Sequence, residues 1–220
     1  MGEITHAAMR RKLGGSPDAS PPRQFVSCEY TAEAHERAEM TFTLNTRSLH
    51  VLPPELTVRE AIPVLSGLVR DPDFLDSHVL PRLEKARRAK DWYVAYRHDV
   101  HRSYSLQIFV WPPDSATRIH DHSSWGAFCC VIGSVLEERY KRVDDGSLPD
   151  HARLKRLWRL AWSCGDGIST VLPYGGGIHR VSNPTEKPAI SVHLYGPRLG
   201  EIDGRDYDPS QNYVCDRPED

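Results

Sequence analysis

Between Trp92 and Pro197 the sequence is divided into short runs that are rich in β-branched and aromatic residues. Gly, Pro, Asp and Ser residues separate these runs, a pattern typical of antiparallel strands joined by tight turns. The predicted strands are Ser105–Trp111, Arg118–His122, Ala127–Tyr140, Leu154–Trp162, Ile168–Leu172, Arg180–Val181 and Ala189–Tyr195. Their spacing predicts a mainly β fold, either a two-sheet sandwich or a small antiparallel barrel.

The segment before these strands favours helices. Thr31–Met40 is rich in Ala and Glu, and Thr57 is placed to cap a helix that continues to Leu68. The pair Asp71–Pro72 should end that helix, because a proline cannot donate a backbone hydrogen bond. A second helix is predicted over Asp73–Ala89. We therefore expect helices that pack on an all-β core.

A chain of 220 residues is long enough for one domain. We expect a flexible leader over residues 1–24, which Gly and Pro interrupt, and a single domain over residues 25–220. Within this domain we expect a mainly helical part, a β-barrel core and a C-terminal tail, over residues 25–90, 91–200 and 201–220. Two tyrosines of the tail, Tyr207 and Tyr213, are expected to find cover at the mouth of the barrel.

Charge and cysteine content exclude several classes of protein. Lys and Arg number 28 against 30 Asp and Glu, a formal net charge of −2, so neither nucleic acid nor an anionic membrane is an expected partner. No apolar run approaches the ~20 residues that a membrane span requires. The five cysteines form no CxxC pair, and the N-terminus lacks the apolar core of a signal peptide. We therefore expect a cytoplasmic protein.

The sequence Arg-Ile-His-Asp-His ends in two histidines with one residue between them. Because side chains alternate along a strand, His120 and His122 should point to one side and Asp121 to the other. Three consecutive glycines before Ile178 predict a tight turn that brings His179 onto a further strand. Three imidazoles with open positions suit Fe(II) and oxygen chemistry, and zinc with three His and a water is the alternative.

A second group of polar residues lies on the predicted strand Ala189–Tyr195. The same alternation places Ser191, His193 and Tyr195 on one face. A hydroxyl, an imidazole and a phenol in a row can form a hydrogen-bond relay that orients the phenol proton near a ligand.

These motifs resemble those of the cupin superfamily. Its first motif is matched by His120 and His122, with Gly126 at the place of the usual Glu and Gly133 after six intervening residues. Its second motif is matched by Gly167, Pro173, Gly175, His179 and Asn183, with one extra residue before the histidine. The resemblance implies a cupin-type antiparallel β-barrel, or jelly roll, that lacks the carboxylate ligand.

The segments His120–Gly133 and His179–Pro197 together are similar to the cysteine dioxygenase family of thiol dioxygenases. The resemblance implies an Fe²⁺ ion held by three histidines, beside a catalytic Ser-x-His-x-Tyr relay. The implied ligands and relay residues are His120, His122, His179, Ser191, His193 and Tyr195. The implied reaction adds both atoms of O₂ to the sulfur of a small thiol carboxylate, L-cysteine giving cysteine sulfinic acid. A monomer or weak homo-oligomer is expected.

The same resemblance implies an arginine that binds the substrate carboxylate. Arg97 is the candidate, with Tyr96 and Trp125 as further substrate-binding residues. Arg102 is a rival. In family members that prefer 3-mercaptopropionate, a Gln takes this position and a C-terminal Arg binds the carboxylate. The corresponding candidates here are Gln107, Arg198 and Arg205.

Two further features follow from the resemblance. The cysteine that animal members link to the relay tyrosine falls on Gly126, so Tyr195 is expected to be unlinked, as in bacterial-type members. Gly196–Pro197 is the candidate for a cis peptide bond. Two alternatives of other classes remain open: a non-oxidative metal cupin, such as an isomerase or hydrolase, and a degenerate cupin that only binds a ligand.

Overall fold

The computed structural model of the chain describes residues 55–100, 103–200 and 202–217. The predicted leader, the predicted helix over Thr31–Met40 and the rival arginine Arg102 lie outside the described residues. Within them, no helix is long and apolar enough to cross a membrane.

The first described helix, α1 (Val58–Leu68), begins where the sequence predicts. The Thr57 hydroxyl accepts a hydrogen bond from the backbone N–H of Glu60, and the Glu60 carboxylate accepts one from the backbone N–H of Thr57, 2.8 Å away. This reciprocal capping box satisfies two N–H groups that the helix cannot pair internally. Leu65 and Ala61 are wholly buried on the inner side of the helix.

The prediction of one continuous helix over Asp73–Ala89 is wrong. The chain instead forms a short helix α2 (Pro72–Phe74), a π turn (Leu75–Val79), a 3₁₀ turn (Leu80–Arg82) and a short helix α3 (Leu83–Ala86). Pro81 lies in the 3₁₀ turn and lacks the N–H that a continuous α-helix would use.

Strands make up most of the rest of the described chain. They are β1 (Tyr93–Val100), β2 (Tyr104–Trp111), β3 (Ile119–His120), β4 (Gly126–Ile132), β5 (Ser134–Arg142), β6 (Leu154–Ser163), β7 (Ser169–Val171), β8 (His179–Ser182), β9 (Ala189–Tyr195), β10 (Gly204–Asp208) and β11 (Tyr213–Arg217). Two antiparallel sheets result, with strand orders β1-β2-β9-β4-β7 and β11-β10-β3-β8-β5-β6. The predicted mainly β, jelly-roll architecture is confirmed.

The run predicted as one strand over Ala127–Tyr140 is divided between the two sheets. Gly133 separates β4 from β5 and has a φ of +71°, in the left-handed region that favours glycine. A Cβ at this position would also lie 2.8 Å from the carbonyl oxygen of Pro188. The chain can therefore turn sharply here and pass from one sheet to the other.

Two apolar layers hold this arrangement together. Between the sheets, Phe109, Trp111 and Phe128 of the first sheet pack with Val135 and Trp162 of the second. On the outer face of the first sheet, α1 and the turns after it pack against β2, β4 and β9. The predicted packing of helices on a β core is confirmed in the described residues. Full burial of one such large apolar side chain contributes ~1.5–3 kcal/mol.

The described part of the C-terminal tail forms a hairpin. β10 pairs with β11 and with β3, where Asp206 lies opposite His120. Tyr207 is buried, as expected of it, but Tyr213 is 43% exposed. The hairpin therefore extends the second sheet beside β3, which ends at His120, so the predicted strand Arg118–His122 is shorter than expected and His122 lies just beyond it.

Candidate metal centre and hydrogen-bond relay

The structure brings His120, His122 and His179 together. His120 ends β3 and pairs directly with His179 at the start of β8. The Nε2 atom of His122 lies 3.1 Å from that of His120 and 3.2 Å from that of His179. His120 and His179 are buried, and His122 is half-buried. Among the His, Cys, Asp and Glu side chains of the described residues, these three histidines form the group that could hold a metal ion.

The nitrogen separations fit a single divalent ion. Nitrogen ligands that each lie ~2.1 Å from one ion are about 3.0 to 3.4 Å apart at octahedral or tetrahedral angles. The observed 3.1 and 3.2 Å fall in that range. Three neutral imidazoles on one side would leave the other coordination positions for a ligand from solution.

The outward ring nitrogens of two of the histidines also have partners. The Nδ1 of His120 lies 2.9 Å from the carbonyl oxygen of Arg118. The Nδ1 of His179 lies 3.0 Å from Oε1 of Glu137, a wholly buried carboxylate on β5. Partners of this kind orient metal-ligating histidines. Sequence reasoning missed Glu137, although a glutamate between Val135 and Arg139 on one face of a strand was an available signal.

Asp121 points away from the three histidines and anchors the C-terminal hairpin. Its wholly buried carboxylate accepts hydrogen bonds from the backbone N–H of Arg205 and the hydroxyl of Tyr207, each at 2.7 Å. Burial raises the pKa of Tyr207, and the hydrogen bond to Asp121 raises it further. β10 is thereby fastened beside β3, which carries His120.

The three polar residues of β9 form a continuous chain of hydrogen bonds. Ser191 Oγ lies 2.7 Å from Nε2 of His193, and Nδ1 of His193 lies 3.0 Å from the hydroxyl of Tyr195. The indole N–H of Trp111, which sequence reasoning missed, donates to Ser191 Oγ at 2.7 Å. The relay thus begins deep between the sheets and ends at Tyr195.

His193 lies between aromatic rings. Its ring centroid is 4.3 Å from that of Phe109 and 4.9 Å from that of Phe128. Burial lowers the pKa of His193 to about 3; the charge of His120 lowers it further and that of Glu137 opposes the shift. The imidazole is therefore neutral near pH 7 and can donate through one nitrogen while it accepts through the other.

Gly126 pairs with Tyr195 across β4 and β9. A Cβ at Gly126 would lie 3.0 Å from Cε1 of Tyr195 and 2.7 Å from Cγ2 of Val171. The position of the carboxylate in the cupin motif therefore faces the relay tyrosine and offers neither a carboxylate nor a thiol.

The predicted substrate-binding residues do not all share a face. Arg97 pairs with Gln107, which pairs with His193, so these three lie on the inner face of the first sheet. Tyr96 lies on the outer face, with its ring 4.9 Å from that of His78. The expectation that Tyr96 lines the site is corrected, because neighbouring residues of a strand point to opposite faces.

Trp125 lies beside the end of the relay. Its carbonyl oxygen accepts a hydrogen bond from the N–H of Gly196 at 2.9 Å, and its indole packs against Gly196 closely enough to exclude any larger residue there. The described chain contains no cis peptide bond, so Gly196–Pro197, the candidate for one, is trans.

The candidate arginines differ in their partners. Arg97 Nε lies 3.0 Å from Asp99, and the Arg97 side chain is 57% exposed. Arg198 pairs with Asp203 at 3.3 Å. Arg205 lies within 4 Å of two carboxylates, those of Asp216 and Asp121, and stacks on the ring of Tyr174.

Comparison with known proteins gives one family and several distant structures. The family model described as Cysteine dioxygenase type I matches residues 90–209, more than half of the chain. Among solved structures, TT1209 from Thermus thermophilus is 18% identical with a TM-score of 0.34, over 47% of this chain and 84% of that one. A Cupin 2 conserved barrel domain protein from Salinispora arenicola is 17% identical with a TM-score of 0.33, over 48% and 73%. A recombinant oxalate oxidase in complex with glycolate is 16% identical with a TM-score of 0.38, over 49% and 52%.

Proposed function

We propose that this chain, which belongs to the cysteine dioxygenase type I family, is an Fe(II)-dependent thiol dioxygenase. It would add both atoms of O₂ to the sulfur of a small thiol carboxylate, most readily converting L-cysteine to cysteine sulfinic acid. The balance is one thiol and one O₂ for one sulfinic acid. The observation that carries the proposal is the convergence of three Nε2 atoms, with no carboxylate among them, beside the relay that ends at Tyr195.

His120, His122 and His179 would hold the ion from one side and leave the opposite side to the substrate. A bound ferrous ion would supply a site for the substrate sulfur, favouring its thiolate form, and the electrons that make O₂ reactive. Since the ligand group found in the described residues contains no carboxylate, a bound ion would keep its full charge, which favours an anionic sulfur ligand.

The relay would direct one phenol proton into the site. The Trp111 indole N–H can only donate, so Ser191 accepts it and turns its own hydroxyl hydrogen to His193 Nε2. Neutral His193 then carries its proton on Nδ1 and donates it to the oxygen of Tyr195. With its oxygen accepting from His193, the Tyr195 hydroxyl would act toward the substrate as a hydrogen-bond donor.

Arg97 is the proposed anchor of the substrate carboxylate. It shares the inner face with His193, and its partner is a solvent-exposed aspartate. Exposed ion pairs contribute only ~0–1 kcal/mol, so a substrate carboxylate can replace Asp99 at small cost. Arg205 is the less suitable candidate, since it already faces two carboxylates. Trp125, whose indole contacts Gly196 and the apolar layer on the outer face of the first sheet, would support Tyr195 from behind.

The test is oxygen uptake by protein reconstituted anaerobically with one equivalent of Fe(II). The thiols are supplied separately: L-cysteine, 3-mercaptopropionate and mercaptosuccinate. The mass of each product is measured by mass spectrometry after reaction in ¹⁸O₂. We expect uptake with L-cysteine and two ¹⁸O atoms in the sulfinic acid. Faster uptake with 3-mercaptopropionate would reassign the substrate, and no uptake with any thiol while iron is bound would overturn the proposal. The cytoplasmic location and the monomeric or weakly oligomeric state stay predictions.

A further inference from the structure

We infer that Glu137 is a positioning residue. Its carboxylate is hydrogen-bonded to the ligand His179 and fixes which nitrogen of that ring faces a bound ion. The inference rests on the proposed function only in taking His179 as a metal ligand. Glu137 is wholly buried and lies on β5, and its Oε1 is 3.0 Å from Nδ1 of His179 on β8. The register of the two strands, with Arg139 opposite His179, creates this contact.

Four donors surround the two oxygens of Glu137. Oε1 receives the Nε–H of Arg139 at 2.6 Å and faces His179 Nδ1. Oε2 receives the indole N–H of Trp162 at 3.0 Å and the hydroxyl of Ser169 at 2.6 Å. Arg139 also donates to Ser169 Oγ at 3.1 Å, which leaves the Ser169 hydroxyl hydrogen for Glu137.

This arrangement determines the tautomer of His179. The Arg139 and Trp162 groups are donors only, and a carboxylate accepts only. An unprotonated Nδ1 on His179 would place two acceptors 3.0 Å apart in a buried site, at the cost of an unpaired polar group. His179 therefore carries its proton on Nδ1 and presents the lone pair of Nε2 to the ion.

The carboxylate of Glu137 and its four partners form one hydrogen-bonded cluster. Glu137, Arg139, Trp162, Ser169 and His179 are all at least nine-tenths buried. The positive charge of the Arg139 guanidinium neutralises the negative charge of Glu137, so the cluster leaves no unpaired charge between the sheets. Gly126 occupies the motif position at which cupins carry a carboxylate ligand. The carboxylate of Glu137 lies instead behind His179, to which it is hydrogen-bonded. Such partners raise the basicity of the ligand nitrogen.

The test compares Glu137→Gln with Glu138→Gln, its neighbour on β5. Glu138 lies on the opposite face, where it pairs with Arg156 and Arg180, and loses the same charge when replaced. Removing a partner of a metal-ligating histidine weakens metal affinity by about 10- to 100-fold. We expect that loss for Glu137→Gln and less than about a threefold change for Glu138→Gln, measured by Co(II) titration in competition with a chelator. Equal affinities of Glu137→Gln and wild type would overturn the inference.

A measurement on the metal-free wild-type protein keeps the inference testable if Glu137→Gln does not fold. Long-range ¹⁵N–¹H correlation spectra distinguish the two imidazole tautomers, and the His179 signals are assigned by their absence in His179→Asn. We expect a proton on Nδ1 and none on Nε2, and a proton on Nε2 would overturn the inference. If the wild-type protein bound neither Co(II) nor Fe(II), the proposed function would be refuted. The tautomer of His179 is measured on metal-free protein, so the two failures can be distinguished.

Discussion

The ring of Tyr195 lies 5.0 Å from the ring of His122, centroid to centroid. This contact joins the relay on β9 to the three histidines, which two other segments of the chain supply. A molecule held opposite the histidines would therefore be within reach of the Tyr195 hydroxyl, and the two groups can be separated by mutation.

Replacing a ligand and replacing the relay tyrosine should have different effects. His179→Ala should abolish stoichiometric Fe(II) binding, because two imidazoles remain of three. Tyr195→Phe should retain iron and lower turnover by about ten- to a hundredfold, from the ~1.5–3 kcal/mol of a hydrogen bond to a charged group. Iron content by metal analysis and kcat by oxygen uptake separate the two outcomes. Equal loss of iron in both variants would show that the division into ligand and relay is wrong.

The space at Gly126 gives a steric prediction. Gly126→Ala would place a Cβ 2.7 Å from Val171 and 3.0 Å from the ring of Tyr195, so the tyrosine must move. We expect a lower kcat with iron content unchanged. The matched control is Gly175→Ala, since a Cβ at Gly175 would have no neighbour within 4 Å in the part of the chain that the structure describes. A kcat for Gly126→Ala equal to that of the control would contradict the assigned position of Tyr195.

The carboxylate anchor can be tested through KM. Arg97→Gln should raise KM for L-cysteine by about tenfold or more, because a charge-assisted hydrogen bond contributes ~1.5–3 kcal/mol. Arg159→Gln removes an exposed arginine from β6 in the other sheet and should leave KM unchanged. If Arg97→Gln also leaves KM unchanged, the carboxylate contact moves to Arg198, Arg205 or Arg102.

His78 gives the stability of the fold a pH dependence. Burial lowers the pKa of His78 below its usual 6.5, and the charges of Arg82 and His98 lower it further. Its ring packs against Phe74 and Tyr96, and its Nε2 has no hydrogen-bond partner among the described residues. The unfolded chain therefore takes up a proton at a higher pH than the folded protein.

The free energy of unfolding should accordingly be highest above about pH 6.5 and fall as the pH drops through that value toward the lowered pKa of the folded state. Urea unfolding of wild type between pH 8 and pH 5 measures this fall. His78→Leu should flatten it, whereas His98→Gln, which removes only the smallest of the three causes of the lowered pKa, should flatten it much less. An identical pH dependence in wild type and His78→Leu would refute the assignment.

The sequence by itself determined the elements whose signals are local. The helix cap at Thr57 and the alternation along β9 each depend on residues within one element, so their spacing was enough to place them. His120 and His122 are only two residues apart, which kept their side chains together although β3 ends at His120. No strand was predicted over Tyr93–Val100, so alternation could not separate Tyr96 from Arg97. The structure forms β1 there and places Tyr96 on the outer face.

Only the tertiary structure decided the contacts that depend on strand pairing. Glu137 meets His179 because β5 and β8 are in register, and Trp111 meets Ser191 because β2 pairs with β9. The division of Ala127–Tyr140 between two sheets is of the same kind. The physical reason is that side-chain periodicity records which face a residue occupies, whereas the partner across the sheet is set by register between segments far apart in the chain.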